Sequence, residues 1–332
     1  MTDDDVTRRR AGIDQKGKTT MGNEDNTAAG ATGGSMRVAV VGLGSMGMGA
    51  ATSCVAAGLT TYGIDPRDTA CEAFVKAGGA GAASDGRDFA GDLDAVILLT
   101  VNAAQCRDAL FGEKGLAAHL KAGTPVMVSA TISVADAKAI AAELEAAGLT
   151  MLDAPVSGGA AKAASGEMTV MAAGPAAVFD QLQPVLDAVA GKVYRISEKI
   201  GDGATVKIIH QLLAGVHIAA GAEAMALAAK ANIPLETMYD VVTNAAGNSW
   251  MFENRMRHVV DGDYTPTSMV DIFVKDLGLV TETGLAMKFP LPLATTAYSM
   301  FATASNAGYG QWDDSAVIKV FPGIDLPDSG KH

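Results

Sequence analysis

The period of the apolar positions changes near residue 200, and that change divides the chain into two kinds of material. The segment 37–41 is a near-continuous apolar run, the pattern of a parallel strand buried on both faces. Similar runs at 60–64, 95–100, 126–129 and 149–152 predict four more strands, and 45–57 and 134–147 predict helices between them. Strands alternating with helices predict an α/β fold, a Rossmann-type doubly wound parallel sheet covered on both faces, over residues 36–197.

From Gly203 onward the pattern is helical throughout. The stretch 205–231 is alanine-rich and as a helix would span ~40 Å. Helices follow near 234–246, 250–260, 269–287, 291–306 and 313–320, separated by Pro234, Pro266, Pro290-Leu291-Pro292 and Gly308-Tyr309-Gly310. Residues 198–332 are therefore expected to form an all-helical domain for substrate binding and oligomerisation, joined to the sheet by the long helix. Residues 1–35 carry no apolar periodicity and no hydrophobic run for a signal peptide, so they are expected to be a disordered leader. The fold is expected to begin at Met36, itself a candidate start codon.

Composition narrows the class. The 332 residues are 49% hydrophobic and 19% charged, which suits a globular enzyme of two domains and is too apolar for a disordered chain. A net charge of -12 argues against nucleic acid as the main partner, since phosphate backbones attract basic surfaces. Cys54, Cys71 and Cys106 are odd in number and lack CxxC spacing, so neither a disulfide framework nor a zinc site is expected. A reducing, cytoplasmic compartment follows. The most membrane-like stretch, 212–229, is interrupted by His217 and Glu223 and is expected to be a buried helix, with no membrane partner.

Four motifs carry the chemistry. Gly42-Leu43-Gly44-Ser45-Met46-Gly47 lies between the first strand and its helix, where a dinucleotide fingerprint belongs. Gly42 permits the tight turn, Gly44 admits the pyrophosphate, and Gly47 lets helix and strand pack, with the helix N-terminus facing the phosphates. Asp65 ends the second strand, where a carboxylate accepts from ribose hydroxyls and repels the extra phosphate of NADP. NAD is thus the expected cofactor, and Arg67 is the residue that would soften the preference. A turn of purely structural use is the alternative, and the strand–turn–helix–strand–Asp order argues against it.

The second motif, Asp153-Ala154-Pro155-Val156-Ser157-Gly158-Gly159, closes a strand, and the amides of Ser157, Gly158 and Gly159 can form a nest for a carboxylate. A tight turn is the equal alternative. In the third, Gly201-Asp202-Gly203-Ala204-Thr205-Val206-Lys207, the lysine stands in apolar surroundings at the start of the long helix. It either faces solvent or lies in a cleft, where burial would tune its amine for proton transfer. The fourth, Lys275-Asp276-Leu277, has the same ambiguity. His210 is a rival general acid, His217 and His258 are expected in core or surface roles, and Glu223, Asp271 and Asp276 show no metal spacing.

Together these motifs resemble the β-hydroxyacid dehydrogenase family, which includes 3-hydroxyisobutyrate dehydrogenase and tartronate semialdehyde reductase, from Met36 to about Ile324. The resemblance implies that the glycine loop binds the dinucleotide and that Ser157, Gly158 and Gly159 hold the substrate carboxylate. It further implies that Lys207 is catalytic, that Lys275 lies by cofactor and substrate, and that Thr131 touches the nicotinamide side. The family usually has asparagine four residues after the catalytic lysine, and Gln211 stands there instead. The wording of 41–50, 210–217 and 246–253 is most similar to the L-threonate branch, which oxidises a four-carbon sugar acid with NAD. In that reading Gln211, Asn248 and Ser249 offer polar contacts to extra hydroxyls. The expected reaction is L-threonate to 2-dehydro-L-erythronate, by a homodimer or homotetramer. The alternatives are 3-hydroxyisobutyrate or D-glycerate chemistry, and, from another class, a non-catalytic dinucleotide-binding module.

Overall fold

In the computed structural model, which describes residues 35–332, five apolar runs lie side by side as parallel strands: β1 (Arg37–Val41), β2 (Thr60–Ile64), β4 (Ala95–Leu98), β5 (Pro125–Val128) and β6 (Thr150–Asp153). A short β3 (Gly81–Ala83) extends the edge beside β2. Beyond β6 the sheet continues with β7 (Val156–Ser157), β8 (Met168–Ala173) and β9 (Ala190–Ser197). The spatial order is 3-2-1-4-5-6-8-7, with β9 against β8. The expected leader lies outside the described residues.

The near-continuous apolar runs follow from what the sheet must cover. Val38 and Val40 of β1 point into one core with Ala95 and Ile97, while Ala39 and Val41 point into the other with Val96 and Leu98. Side chains alternate faces along a strand, so a strand with helices on both faces is apolar at every position. Those helices are α1 (Ser45–Ala56), α2 (Asp68–Lys76), α3 (Arg87–Ala90), α4 (Ala103–Phe111), α5 (Val134–Ala146), α6 (Gly159–Ala164), α7 (Ala176–Gln181) and α8 (Gln183–Val189).

The last part of the sheet departs from the all-parallel expectation. β8 runs antiparallel to β6 and β7, and β9 runs parallel to β8. Pro155 separates β6 from β7, since it has no N–H to carry the ladder onward. These strands escape pattern reading because β7 is two residues long and the short α6 joins it to β8, so nothing local marks the antiparallel return. β9 is largely exposed, and Lys192, Arg195 and Ser197 interrupt its apolar positions.

The helical region opens with α9 (Asp202–Lys230), followed by α10 (Leu235–Thr243), α11 (Trp250–Asp261), α12 (Val270–Met287), α13 (Pro292–Ala304) and a 3-10 segment at Asp314–Val320. By length and hydropathy α9 qualifies as a membrane span, yet it is the central helix of a third core. Ile218, Ala222 and Met225 pack there against Phe252, Met256, Leu277 and Phe301. Small residues set its spacing: a Cβ on Gly215 would meet Leu277, and one on Gly221 would meet Phe252. The three cysteines are free and buried.

Candidate active site

The strand order reverses between β1 and β4, and dinucleotide sites form at such switch points, outside the carboxyl ends of the strands. The loop Gly42–Gly47 occupies that place. Gly42 adopts φ +89°, and a Cβ there would fall 2.8 Å from the Leu99 carbonyl oxygen. A Cβ on Gly47 would sit 1.7 Å from the Gly42 carbonyl oxygen, so α1 touches the loop backbone to backbone. Around Gly44, in contrast, nothing lies within 4 Å of where a Cβ would stand. Two glycines are thus demanded by the protein and the third borders open space, which fits a pyrophosphate resting on the loop.

Asp65 follows β2 and is buried. Its Oδ2 accepts from the Leu43 amide at 2.8 Å, and both oxygens engage the Arg67 guanidinium, at 2.8 Å and 3.0 Å. Burial pushes the carboxyl up, but the Arg67 guanidinium and the amides of Arg67 and Leu43 outweigh it and hold it below the usual carboxylate range. The carboxylate therefore joins the glycine loop to the end of β2, and Arg67 is tied to it.

The second and third motifs meet. Asp153, only 1% exposed, ends β6 and sends Oδ2 to the amides of Gly201 (2.8 Å) and Ala204 (3.0 Å). These are orphan donors at the start of α9, and a carboxylate is the favoured partner for that helix end. Gly203 sits so close that a Cβ would lie 2.5 Å from the Asp153 carbonyl oxygen and 2.8 Å from that of Met171. The strand end and the helix start are locked together, which fixes where α9 points.

One turn and a half into α9, Lys207 is 6% exposed and makes no hydrogen bond or ion pair among the described residues. Burial is the main force on its amine and lowers its pKa from 10.5 to about 8; Asp276 opposes this and Lys275 adds to it. Lys275 and Asp276 project from α12. The Lys275 ammonium donates to the Thr131 carbonyl at 2.9 Å and to Asp276 Oδ1 at 2.5 Å. Asp276 Oδ2 accepts from Gln211 Nε2 at 2.5 Å, and Gln211 Oε1 lies 2.9 Å from His210 Nδ1. His210 Nε2 then faces Ser157 Oγ at 3.4 Å. A single chain of polar contacts so connects Thr131 after β5, Lys275 and Asp276 on α12, Gln211 and His210 on α9, and Ser157 after β6.

Gly158 (φ +136°) and Gly159 (φ +72°) follow Ser157, and nothing lies within 4 Å of a Cβ placed on Gly159. Open space beside paired positive-φ glycines suits an anion nest. Asn248 is not brought to this group: its amide nitrogen donates to the Thr243 carbonyl and to Glu253, both at 3.3 Å. The Ser249 hydroxyl caps α11, accepting from the Phe252 amide. His258 is structural too, its Nδ1 2.9 Å from the Asp263 carbonyl. Sequence reasoning missed Asp276 and Asp153 as site organisers. Asp276 adjoins Lys275, but adjacency in a helix does not say which side chain turns inward; Asp153 carries no local sign of a partner 50 residues away.

Residues 37–197 match the NAD binding domain of 6-phosphogluconate dehydrogenase, and residues 201–321 match the NAD-binding domain of NADP-dependent 3-hydroxyisobutyrate dehydrogenase. The L-threonate dehydrogenase of Haemophilus influenzae is 69% identical over 293 residues, 88% of this chain and 97% of its own length. That of Escherichia coli K12 is 68% identical over 296 residues, 89% of this chain and 98% of its own. The crystal structure of a 3-hydroxyisobutyrate dehydrogenase from Salmonella typhimurium superposes with a TM-score of 0.84 at 67% identity, covering 86% of this chain and all of that one. On these matches, and with a dinucleotide loop and a buried lysine in the places described, the chain belongs to the 3-hydroxyisobutyrate dehydrogenase-related family of NAD(P)-binding hydroxy-acid dehydrogenases.

Proposed function

We propose that this protein oxidises L-threonate to 2-dehydro-L-erythronate with NAD, with Lys207 as the catalytic base. The observation that carries the chemistry is the Lys207 amine itself. It is buried, has no partner among the described residues, and has its pKa lowered to about 8, the state of a group poised to exchange a proton near neutral pH. The substrate rests on relatives 68–70% identical over most of the chain, all L-threonate dehydrogenases.

In this reading the amides of Ser157, Gly158 and Gly159 receive the carboxylate. The neutral Lys207 amine takes the proton of the reacting hydroxyl, and Lys275 with the Thr131 segment borders the nicotinamide. When bound, the cofactor supplies the hydride acceptor. Asp65 supports NAD in this reading, because a carboxylate at the end of β2 suits the ribose hydroxyls and its charge would oppose a 2′-phosphate. Arg67 is paired with Asp65, a contact that competes with its use on a 2′-phosphate. A homodimer or homotetramer in the cytoplasm completes the reading, supported by Ile209, Leu213 and Leu227 standing exposed on α9 and by the free buried cysteines.

The second reading, 3-hydroxyisobutyrate oxidation, is favoured by the Salmonella typhimurium structure described above. Initial rates of NADH formation separate the two, with L-threonate, D-threonate, D-erythronate, D-glycerate and 3-hydroxyisobutyrate as substrates and NADP run in parallel. Preference for L-threonate with NAD is the expected result. Preference for 3-hydroxyisobutyrate would move the substrate and keep the mechanism; no turnover of any acid would overturn the enzymatic reading.

A further inference from the structure

Gln211 has no free polar atom. Asp276 is a carboxylate and can only accept, so the Gln211 group that faces it is the NH2. The amide oxygen is then the atom turned to His210, and an amide oxygen also only accepts. His210 Nδ1 must carry the proton. A neutral imidazole protonated at Nδ1 presents a bare lone pair at Nε2, and burial together with the nearby Lys207 charge keeps the ring neutral. Nε2 lies on the side of Ser157, at 3.4 Å from its hydroxyl, longer than a well-made O–H···N bond. The ring edge is exposed at the loop proposed to hold the carboxylate, three residues along α9 from Lys207 and on the same helix face.

We propose that His210 is a specificity-determining residue, fixed as a hydrogen-bond acceptor by Asp276 through Gln211, and that its Nε2 accepts from a substrate hydroxyl other than the one oxidised. Gln211, which the sequence suggested as the polar contact for such a hydroxyl, is instead the bracket that sets the tautomer of its neighbour. The class of ligand follows from the atom: an acceptor beside a carboxylate nest and a proton-transferring amine selects 2-hydroxy acids bearing a further hydroxyl. This rests on the proposed oxidation of a polyhydroxy acid. A site with such an acceptor disfavours analogues that lack the donor, because in the complex they cover the ring edge and leave the lone pair without a partner.

The test compares kcat/KM for L-threonate with that for its 3-deoxy and 4-deoxy analogues, in the wild type, His210→Leu and His210→Asn, with NAD affinity measured by fluorescence quenching. The nitrogen shifts of the His210 ring are recorded in the free wild type and in Asp276→Asn. The wild type should prefer L-threonate over one deoxy analogue, and His210→Leu should shrink that preference about 10- to 100-fold, chiefly through KM. His210→Asn, which keeps an acceptor oxygen, should recover part of it. NAD affinity should stay within twofold of the wild type, about 0.4 kcal/mol or less. The ring should be protonated at Nδ1 in the wild type and a tautomer mixture in Asp276→Asn, whose amide can face Gln211 either way. An Nε2-protonated ring, or an unchanged preference in His210→Leu, overturns the proposal while leaving the reaction intact. Absence of L-threonate turnover in the wild type overturns the substrate reading and, with it, the hydroxyl contact.

Discussion

Asp153 holds the start of α9 through the Ala204 amide, 3.0 Å from its Oδ2, and the same oxygen takes the Gly201 amide at 2.8 Å. The last residue of a sheet strand therefore caps the helix that carries Lys207. Asp153→Ala should leave two buried N–H groups without partners and destabilise the fold by about 2–5 kcal/mol. Asp153→Asn keeps an acceptor oxygen and should cost about 1 kcal/mol. Urea unfolding midpoints decide this, and equal losses for the two variants would contradict the capping role.

The glycine loop gives a contrast between two substitutions of the same size. Gly47→Ala puts a methyl 1.7 Å from a backbone oxygen, so either α1 or the loop must move. It should destabilise the protein by more than ~2 kcal/mol as well as weaken cofactor binding. Gly44→Ala meets nothing in the protein and should leave the melting temperature of the free enzyme unchanged. Its Kd for NAD should nonetheless rise about tenfold or more, since the methyl enters the space assigned to the pyrophosphate. Thermal melts with and without NAD separate the two effects. Unchanged affinity in Gly44→Ala would remove the phosphates from that loop.

Lys207 predicts a trade of stability for activity. Unfolded, the amine has its ordinary pKa of 10.5; folded, burial lowers it to about 8. The native state thus binds the proton less well, and stability declines as pH falls from the unfolded pKa to the folded one and stays reduced below. Lys207→Met should relieve about 1–3 kcal/mol of that penalty at pH 7. Turnover should fall about 100- to 10,000-fold, with NAD affinity nearly unchanged. Chemical unfolding and steady-state rates on one preparation check both halves.

The same amine sets the pH dependence. On the proposed mechanism, proton removal from the substrate hydroxyl needs neutral Lys207, whose fraction reaches one half at about pH 8. For oxidation, kcat/KM should climb about tenfold per pH unit below that value and level off above it. Reduction of the oxo acid needs the protonated form, so its profile should be flat at low pH and fall above about 8. A profile for oxidation that is flat from pH 6 to 9 would exclude Lys207 as the base.

Cofactor preference should turn on the Asp65–Arg67 pair. Asp65→Ser removes the charge that opposes a 2′-phosphate and frees the Arg67 guanidinium, now bound at 2.8 Å and 3.0 Å. The ratio of kcat/KM for NADP to that for NAD should rise about 10- to 100-fold, the range of one or two charge-assisted hydrogen bonds. Asp65→Ser with Arg67→Ala should lose much of that gain. A ratio unmoved by either variant would place nucleotide selection elsewhere.

What the sequence determined was everything carried by short-range physics. Apolar runs covered on both faces predicted β1, β2, β4, β5 and β6 within one or two residues, and helical periodicity predicted α9 to α13. The glycine loop and Lys207 stood out because a turn before a helix and a lysine among apolar neighbours are local anomalies. The antiparallel continuation through β7, β8 and β9 was invisible, since strand direction depends on which edge is free when the chain arrives. The partners of polar groups were equally hidden. Asp153 meets Ala204 and Gln211 meets Asp276 across 51 and 65 residues, and no local pattern records which distant donor a carboxylate will find. Tertiary structure decided these pairings because a buried polar atom must take whichever partner packing places within ~3 Å. That is why the sequence showed that Gln211 was unusual, and only the fold showed that its amide turns to its neighbours and that His210 Nε2 stands beside Ser157.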